Sequence, residues 1–509
     1  MEPQGPEYWR KVAQADIQAS LRLPKSTNVA KNVILFIGDG LDATTITASR
    51  IYRGQLRGET GEENSLNFEN FPYVGLSKTY NTDRQTPDSA GTATALMCGV
   101  KANYGTVGVS SRTLARDCES SKGNEVDSIV HWSHAEGKST GIITTARITH
   151  ATPSAAYAHS AYRYWEGDQE VPEGENCKDI AYQLVHNNSF INVIFGGGRR
   201  YFYKHNETDP ETGMVDADDG RKDGRNLVED WEADKEARGL KYKYVWKNEQ
   251  FNAIDPANTD YVLGLFHPGH MQYDNDRNKG ASGEPSLAEM TKKGIEILKK
   301  NDKGFFLMVE GARIDHAHHD NVAKLALQET LTMEDAVAEA MKMTDEKDTL
   351  IIVTGDHGHV FNMAGYPNRG NDILGIVDPM EEEPTDDNKP YATLSYGNGP
   401  GYDWGNRTNF TGEYTRRDGH VQKAAVPMEW ETHGGQDVAI YARGPMAHLF
   451  HGVHEENYVA HVMAYASCVG QNKDHCTNPY MDPCSFNIGN KCYVSLLTVL
   501  VVVCAYFLQ

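Results

Sequence analysis

Basic residues are in the minority: 49 Lys plus Arg stand against 71 Asp plus Glu, a formal charge of −22 over 509 residues. So acidic a chain repels nucleic-acid backbones and anionic lipid, which argues against a polyanion-binding surface. Cysteine is scarce at 8 residues, too few for a disulfide-stapled miniprotein. Residues Met1 to Trp9 lack the basic start and apolar run of a secretory signal. There is no internal repeat. What is present, 39% hydrophobic and 24% charged residues, suffices for a sizeable core and excludes wholesale disorder. The length suits several domains of about 150 residues, or one large α/β unit carrying insertions.

One long uncharged run does occur, from Tyr493 to Gln509. It is short for a spanning helix, which needs about 20 apolar residues. It follows small residues (Cys484, Ser485, Asn487, Gly489) and a short polar spacer. That order fits a glycosylphosphatidylinositol-attachment signal better than a tail-anchored helix or a buried terminal strand. Ser485 is the expected attachment residue, 477–492 the spacer and 493–509 the removable tail. The expected location is the extracellular face of the plasma membrane, which a processed or incomplete N-terminus would reconcile with the missing signal. Sequons at Asn187, Asn206, Asn406 and Asn409 agree with secretion. Cys468 with Cys476, and Cys118 with Cys177, are candidate disulfides, although connectivity does not follow from sequence.

Several short apolar runs end at Gly or an acidic residue: Asn32–Ile37, Gly141–Thr145, Ile191–Phe195, Gly304–Val309, Leu350–Thr354 and Asp437–Tyr441. Near-continuous apolarity suits strands covered on both faces. Helical patterns at Ser286–Lys300 and Ala323–Met343 alternate with them, which predicts an α/β fold with a mostly parallel central sheet and helices on both faces. Residues 1–30 read as an amphipathic helical arm and 31–476 as the α/β domain. Polar stretches at about 200–285 and 366–432 read as insertions, the second containing an acidic solvated loop at Glu381–Asp387.

Metal-type ligands cluster at strand ends. Asp39 follows the first run. Glu310, Asp315 and His319 follow the fourth, and Asp356, His357 and His359 the fifth. Glu431 and His433 precede the last. Open parallel sheets bind ligands at such carboxyl ends. Asp315 and His319 are four apart, so one helical turn aims both at one ion. Mixed Asp/His ligation without thiolate points to catalytic rather than structural zinc. Each group taken alone is more simply a satisfied or solvated side chain; several together carry the reading. Thr86–Met97 adds Asp88, Ser89 and a run of small residues, placing Ser89 at a helix N-terminus that favours an anion. Ser89 as a plain N-cap is the bland alternative. No G-x-S-x-G elbow surrounds it, so a Ser-His-Asp triad fits poorly.

GDG at 38–40, DSAGTATA at 88–95, THATPSAAYAH at 149–159, VEGARIDHAHH at 309–319, TGDHGHVF at 354–361 and ETHGGQDVA at 431–439 resemble the animal alkaline phosphatases, and among them the tissue-nonspecific type. The likeness runs from about Tyr8 to Cys476. It implies a homodimer that cleaves small phosphate monoesters at alkaline pH through a phosphoserine on Ser89, with two zinc ions and one magnesium per subunit. It assigns Asp315, His319 and His433 to the first zinc. Asp39, Asp356, His357 and Ser89 go to the second, and Asp39, Thr152 and Glu310 to magnesium. Arg163 would clamp phosphate oxygens and Asp88 would orient it. His150, His316 and His359 would sit behind the ligands, and 366–432 would form a crown-like insertion.

Some positions depart from the family. A calcium site is implied at Glu211, the Phe266 carbonyl and Glu284, yet His267 replaces an expected carboxylate, and calcium takes nitrogen poorly. Trp430 occupies a variable place near the site mouth, and Tyr366 matches a residue that reaches across the dimer interface. A phosphodiesterase or sulfatase is the rival enzyme, although sulfatases need a modified cysteine. A surface-anchored binding protein without catalysis is the rival of another class.

Overall fold

The computed structural model describes residues 5–23, 25–215, 220–378, 385–471 and 473–477. The expected spacer and lipid-attachment tail, with Ser485, Cys484, Cys492 and Cys504, lie outside these residues, as does most of the acidic stretch at 381–387. Among the described residues no helix is long and apolar enough to cross a membrane.

Eight strands come first: β1 (Asn32–Gly38), β2 (Tyr73–Lys78), β3 (Ser139–Arg147), β4 (Val193–Gly197), β5 (Tyr242–Val245), β6 (Tyr261–Leu265), β7 (Phe305–Gly311) and β8 (Thr349–Gly355). Then follow the short β9 (Gly358–His359), β10 (Phe361–Met363), β11 (Leu394–Gly399), β12 (Ala424–Pro427) and β13 (His433–Gly434), and finally β14 (Val438–Arg443) and β15 (Gly452–Glu455). Ten of them form one sheet in the order β15-β2-β14-β8-β1-β7-β3-β4-β6-β5. All its pairings are parallel except the two made by β14, which runs against both neighbours. The run Asp437–Tyr441 is thus a strand of reversed direction rather than one more parallel strand. The reason is steric economy: β14 starts beside the carboxyl end of β8 and needs no crossover.

The central strands alternate their side chains between two apolar layers. Ile34 and Phe36 of β1 face one core and Val33, Leu35 and Ile37 the other, all fully buried. Helices Leu287–Leu298 and Ala323–Met343 cover the first face; Ile129–Ala135 and Tyr458–Ser467 cover the second. Each such Val, Leu, Ile or Phe contributes about 1.5–3 kcal/mol on burial, which is why these runs are apolar throughout. Ser286 starts Leu287–Leu298 in a capping box with Glu289, a device worth about 1 kcal/mol.

The stretch 200–285 does not stand apart, because β5 and β6 lie within it and complete one end of the sheet. Within 366–432, β11 and β12 join β10 in a separate three-stranded sheet. The helix Pro6–Ser20 has no buried residue. Disulfides join Cys118 to Cys177 and Cys468 to Cys476.

Candidate active site

The carboxyl ends of β1, β7, β3 and β8 open onto one pocket of about 460 Å³, lined among others by Ser89, Arg163, Asp315 and His433. Asp39 directly follows β1, and Asp356 and His357 directly follow β8. Helix Arg313–His319, just after β7, presents Asp315 and His319 one turn apart. His433 arrives from the opposite direction: β13 pairs antiparallel with β9, setting His433 across from His359. The reversal of β14 therefore delivers its N-terminal approach to the edge where the parallel strands end.

Ser89 is the first residue of helix Ser89–Cys98, whose N-cap is Asp88. Asp88 Oδ1 accepts from the amides of Gly91 (3.3 Å) and Gly105 (3.0 Å) and from Asn81 Nδ2 (2.9 Å). Gly91 is required there, since a Cβ would lie 2.5 Å from Asn81 Oδ1. Asp88 Oδ2 accepts from Arg163 Nη1 at 3.1 Å. Burial opposes ionisation of Asp88, but Arg163 and these donors hold its carboxyl below the usual range. The Ser89 hydroxyl donates to Asp39 Oδ1 at 3.3 Å and lies 3.1 Å from His357 Nε2. That imidazole nitrogen is 3.3 Å from Asp39 Oδ1 and 3.4 Å from Asp356 Oδ2. Thr92 donates to Asp356 Oδ2 at 3.3 Å and Gly40 N–H to its Oδ1 at 3.0 Å.

A second group centres on Asp315. Three Nε2 atoms approach its Oδ1: His359 at 3.0 Å, His433 at 3.2 Å and His319 at 3.3 Å. Yet Oδ1 makes no well-formed hydrogen bond. His319 Nδ1 lies 2.5 Å from the Glu431 carbonyl and His433 Nδ1 2.9 Å from the Pro87 carbonyl. Those acceptors place one ring proton on each Nδ1 and turn both Nε2 atoms toward Asp315. The two Nε2 atoms face each other at 3.1 Å. Nitrogens so close need a proton or a metal cation between them. His359 Nδ1 lies 2.6 Å from Glu431 Oε2, which anchors that ring from behind.

A third group contains Glu310, Thr152 and Asp39. Thr144 donates to Glu310 Oε2 at 2.5 Å. Glu310 Oε1, Asp39 Oδ2 and Thr152 Oγ1 are buried without a partner. Burial, then the charge of Asp315, pushes the Asp39 carboxyl well up. Burial and then Asp39 do the same to Glu310, and raise Asp356 to about 7. Burial alone would also raise Asp315, but His319 and its fellow imidazoles hold it well down. Buried, orphaned carboxylates need a cation, and the donor sets fit: Asp/His for zinc, oxygen alone for magnesium.

The residues expected at a calcium site are partly engaged by protein donors. Arg199 Nη2 donates to Glu211 Oε2 at 2.7 Å, taking one carboxylate. Glu284 Oε2 accepts from the Gln272 amide at 2.9 Å, and burial pushes its carboxyl up to about 7. His267 is occupied by the Gly269 amide at 3.0 Å and lies 3.0 Å from Gln272 Nε2. Phe266 is buried beside them, with its amide on the Gly196 carbonyl. Glu284 Oε1 is buried without a partner, while calcium takes six to eight oxygens and accepts the nitrogen of His267 poorly.

Of the histidines expected behind the ligands, His150 Nε2 is 3.3 Å from Arg163 Nη2. His316 lines the pocket, and His359 touches Asp315 directly. Trp430 also lines the pocket and is 58% exposed, at its mouth. Asn81, Thr92 and Thr144 carry no sequence signal, since each acts only through a tertiary hydrogen bond.

A family model described as alkaline phosphatase matches residues 30–469. The tissue-nonspecific alkaline phosphatase isozyme of Rattus norvegicus is 53% identical over 478 residues, 92% of this chain and 90% of that protein. That of Homo sapiens is 52% identical over 478 residues, with the same coverages. Among solved structures, alkaline phosphatase from the Antarctic bacterium TAB5 is 22% identical, with a TM-score of 0.60 over 87% of this chain and 100% of that one. A variant of that bacterial enzyme is solved with Mg bound.

Proposed function

The chain belongs to the alkaline phosphatase family and hydrolyses phosphate monoesters, and on that premise we propose how its pocket residues divide the work. Ser89 is the nucleophile, placed at the start of a helix whose dipole favours the negative charge developing there. Its Oγ bonds to phosphorus, the ester oxygen leaves as the alcohol, and water later cleaves the phosphoserine to return Ser89 and inorganic phosphate. The hydroxyl proton is held toward Asp39 Oδ1 in the resting site. Arg163, fixed on one side by Asp88, turns its remaining N–H groups to the phosphoryl oxygens.

The residues that would hold zinc are Asp315, His319 and His433 in one set and Asp39, Asp356, His357 and Ser89 in the other; Asp39, Thr152 and Glu310 would hold magnesium. When bound, these ions supply positive charge against the phosphoryl dianion and lower the pKa of the serine hydroxyl. His319 and His433 donate Nδ1–H to backbone carbonyls, which turns both Nε2 atoms toward Asp315, where they would ligate. The convergence of His319 and His433 Nε2 on Asp315 Oδ1 is the observation that carries the reading.

The same proposal includes a homodimer and a lipid-anchored extracellular location. The fully exposed helix Pro6–Ser20 and Tyr366, 78% exposed, support a partner surface. The two disulfides support an oxidising compartment. The decisive experiment is phosphate release from a chromogenic monoester and diester, with metal analysis of the same protein. Monoester turnover well above diester turnover, with zinc and magnesium bound, is expected; a preference for the diester would replace this reading.

A further inference from the structure

A third set of imidazoles lies outside the ligand sets above. His150 follows β3, His270 lies in the loop after β6, and His316 is on helix Arg313–His319. One ligand nitrogen from each falls within 4.8 Å of the others. The rings crowd together, with centroids 4.2 Å apart for His270 and His316, 5.1 Å for His150 and His270, and 5.6 Å for His150 and His316. His150 is only 7% exposed. Nδ1 of His150 and Nδ1 of His316 are both buried with no hydrogen-bond partner. Two orphaned imidazole nitrogens beside a third ring are a polar cluster that the ligand sets above leave unexplained.

Two of the neighbouring guanidiniums are committed to carboxylates, while Arg313 stacks on the Tyr273 ring. Arg147 Nε donates to both Glu166 oxygens, at 3.1 and 2.8 Å, and Arg163 is held by Asp88. Arg147 also touches the His270 ring, through its amide at 3.3 Å from Nδ1 and through Nη1 at Nε2. A cation on His270 competes with that last contact, while Glu166 retains the guanidinium.

We propose that His150, His270 and His316 form a binding site for one divalent d-block cation in the wall of the pocket, distinct from the zinc and magnesium sets. Three imidazoles without carboxylate or thiolate suit zinc, copper(II) or nickel(II) and discriminate against magnesium and calcium. His150 Nε2 is 3.3 Å from Arg163 Nη2, so an ion held here adds positive charge beside the phosphate clamp. His270 is the residue that completes the set, since it alone takes no part in the proposed phosphoryl chemistry or its surroundings.

The test uses copper(II) added to the protein loaded with zinc and magnesium, followed by equilibrium dialysis and electron paramagnetic resonance. One additional copper per chain is expected, with hyperfine structure from three imidazole nitrogens and no displacement by magnesium. His270→Ala should weaken that uptake roughly tenfold or more, with zinc content and turnover in copper-free buffer unchanged. His270→Asn keeps a polar side chain of similar size and should show the same loss even if the alanine variant folds poorly. Unaltered copper uptake in His270→Asn, a signal from fewer than three nitrogens, or no additional copper would each overturn the proposal. Zinc and magnesium are counted in the same samples, so failure of the catalytic metal sets shows up separately.

Discussion

Arg163 Nη1 donates to Asp88 Oδ2 at 3.1 Å, while Asp88 Oδ1 caps the helix that begins with Ser89. One carboxylate thus sets both the phosphate clamp and the nucleophile. Arg163→Lys removes the planar two-point grip and should lower kcat/KM by roughly ten- to a hundredfold, about 1.5–3 kcal/mol, chiefly through KM. Asp88→Asn keeps an N-cap acceptor but loses the ion pair, so its effect should be smaller than that of Asp88→Ala. Steady-state kinetics on one chromogenic monoester check both; equal effects of the two Asp88 variants would separate the cap from the clamp.

Ser89→Ala leaves Asp39, Asp356 and His357 in place around the missing hydroxyl. Trapping of phosphoenzyme by acid quench should disappear, while bound zinc stays near the wild-type amount. Wild-type turnover by this variant would show that the nucleophile lies elsewhere.

Glu431 anchors His359 at 2.6 Å and takes the Val360 amide at 2.8 Å with its other oxygen. Outer partners of this kind orient a metal's immediate surroundings, and losing one typically costs about 10- to 100-fold in affinity. Glu431→Ala should therefore lose zinc sooner on dialysis against chelator. At saturating zinc, phosphorylation of Ser89 should recover. An unchanged zinc-release rate would count against the role of Glu431.

The raised carboxyls of Asp39, Asp356 and Glu310 make metal uptake a proton-releasing event. The metal-free fold binds protons that the unfolded chain has already lost. The stability contributed by these carboxyls is therefore fully present below their unfolded pKa and lost as pH rises through the folded pKa, about 7 for Asp356. Proton release on loading zinc and magnesium should shrink between about pH 6 and pH 8.5, as the carboxyls ionise beforehand. Calorimetry in buffers of different ionisation enthalpy measures this, and an equal count at both ends would refute it.

The central strands were legible because burial on both faces leaves continuous apolar runs such as Asn32–Gly38 and Thr349–Gly355. Strand β2 was not, since it pairs beside β15 with alternate residues exposed. The direction of β14 was hidden too, because direction depends on pairing rather than composition. Asp39, Asp315, Asp356, His357 and His433 stood out as acids and imidazoles at strand ends. By contrast, Asn81 behind Asp88 and Thr144 behind Glu310 are ordinary polar residues until the chain has folded. His270 escaped notice for the same reason: its two companions come from distant segments.

Gly40 holds φ at +75°, and a Cβ on it would lie 2.3 Å from His359 Nε2. Every larger residue there would wedge the ring away from Asp315 and distort the turn after β1 together. Directed evolution of this enzyme toward new leaving groups can thus explore Trp430 at the rim freely. The floor around Gly40 should return almost no tolerated variants in such a library.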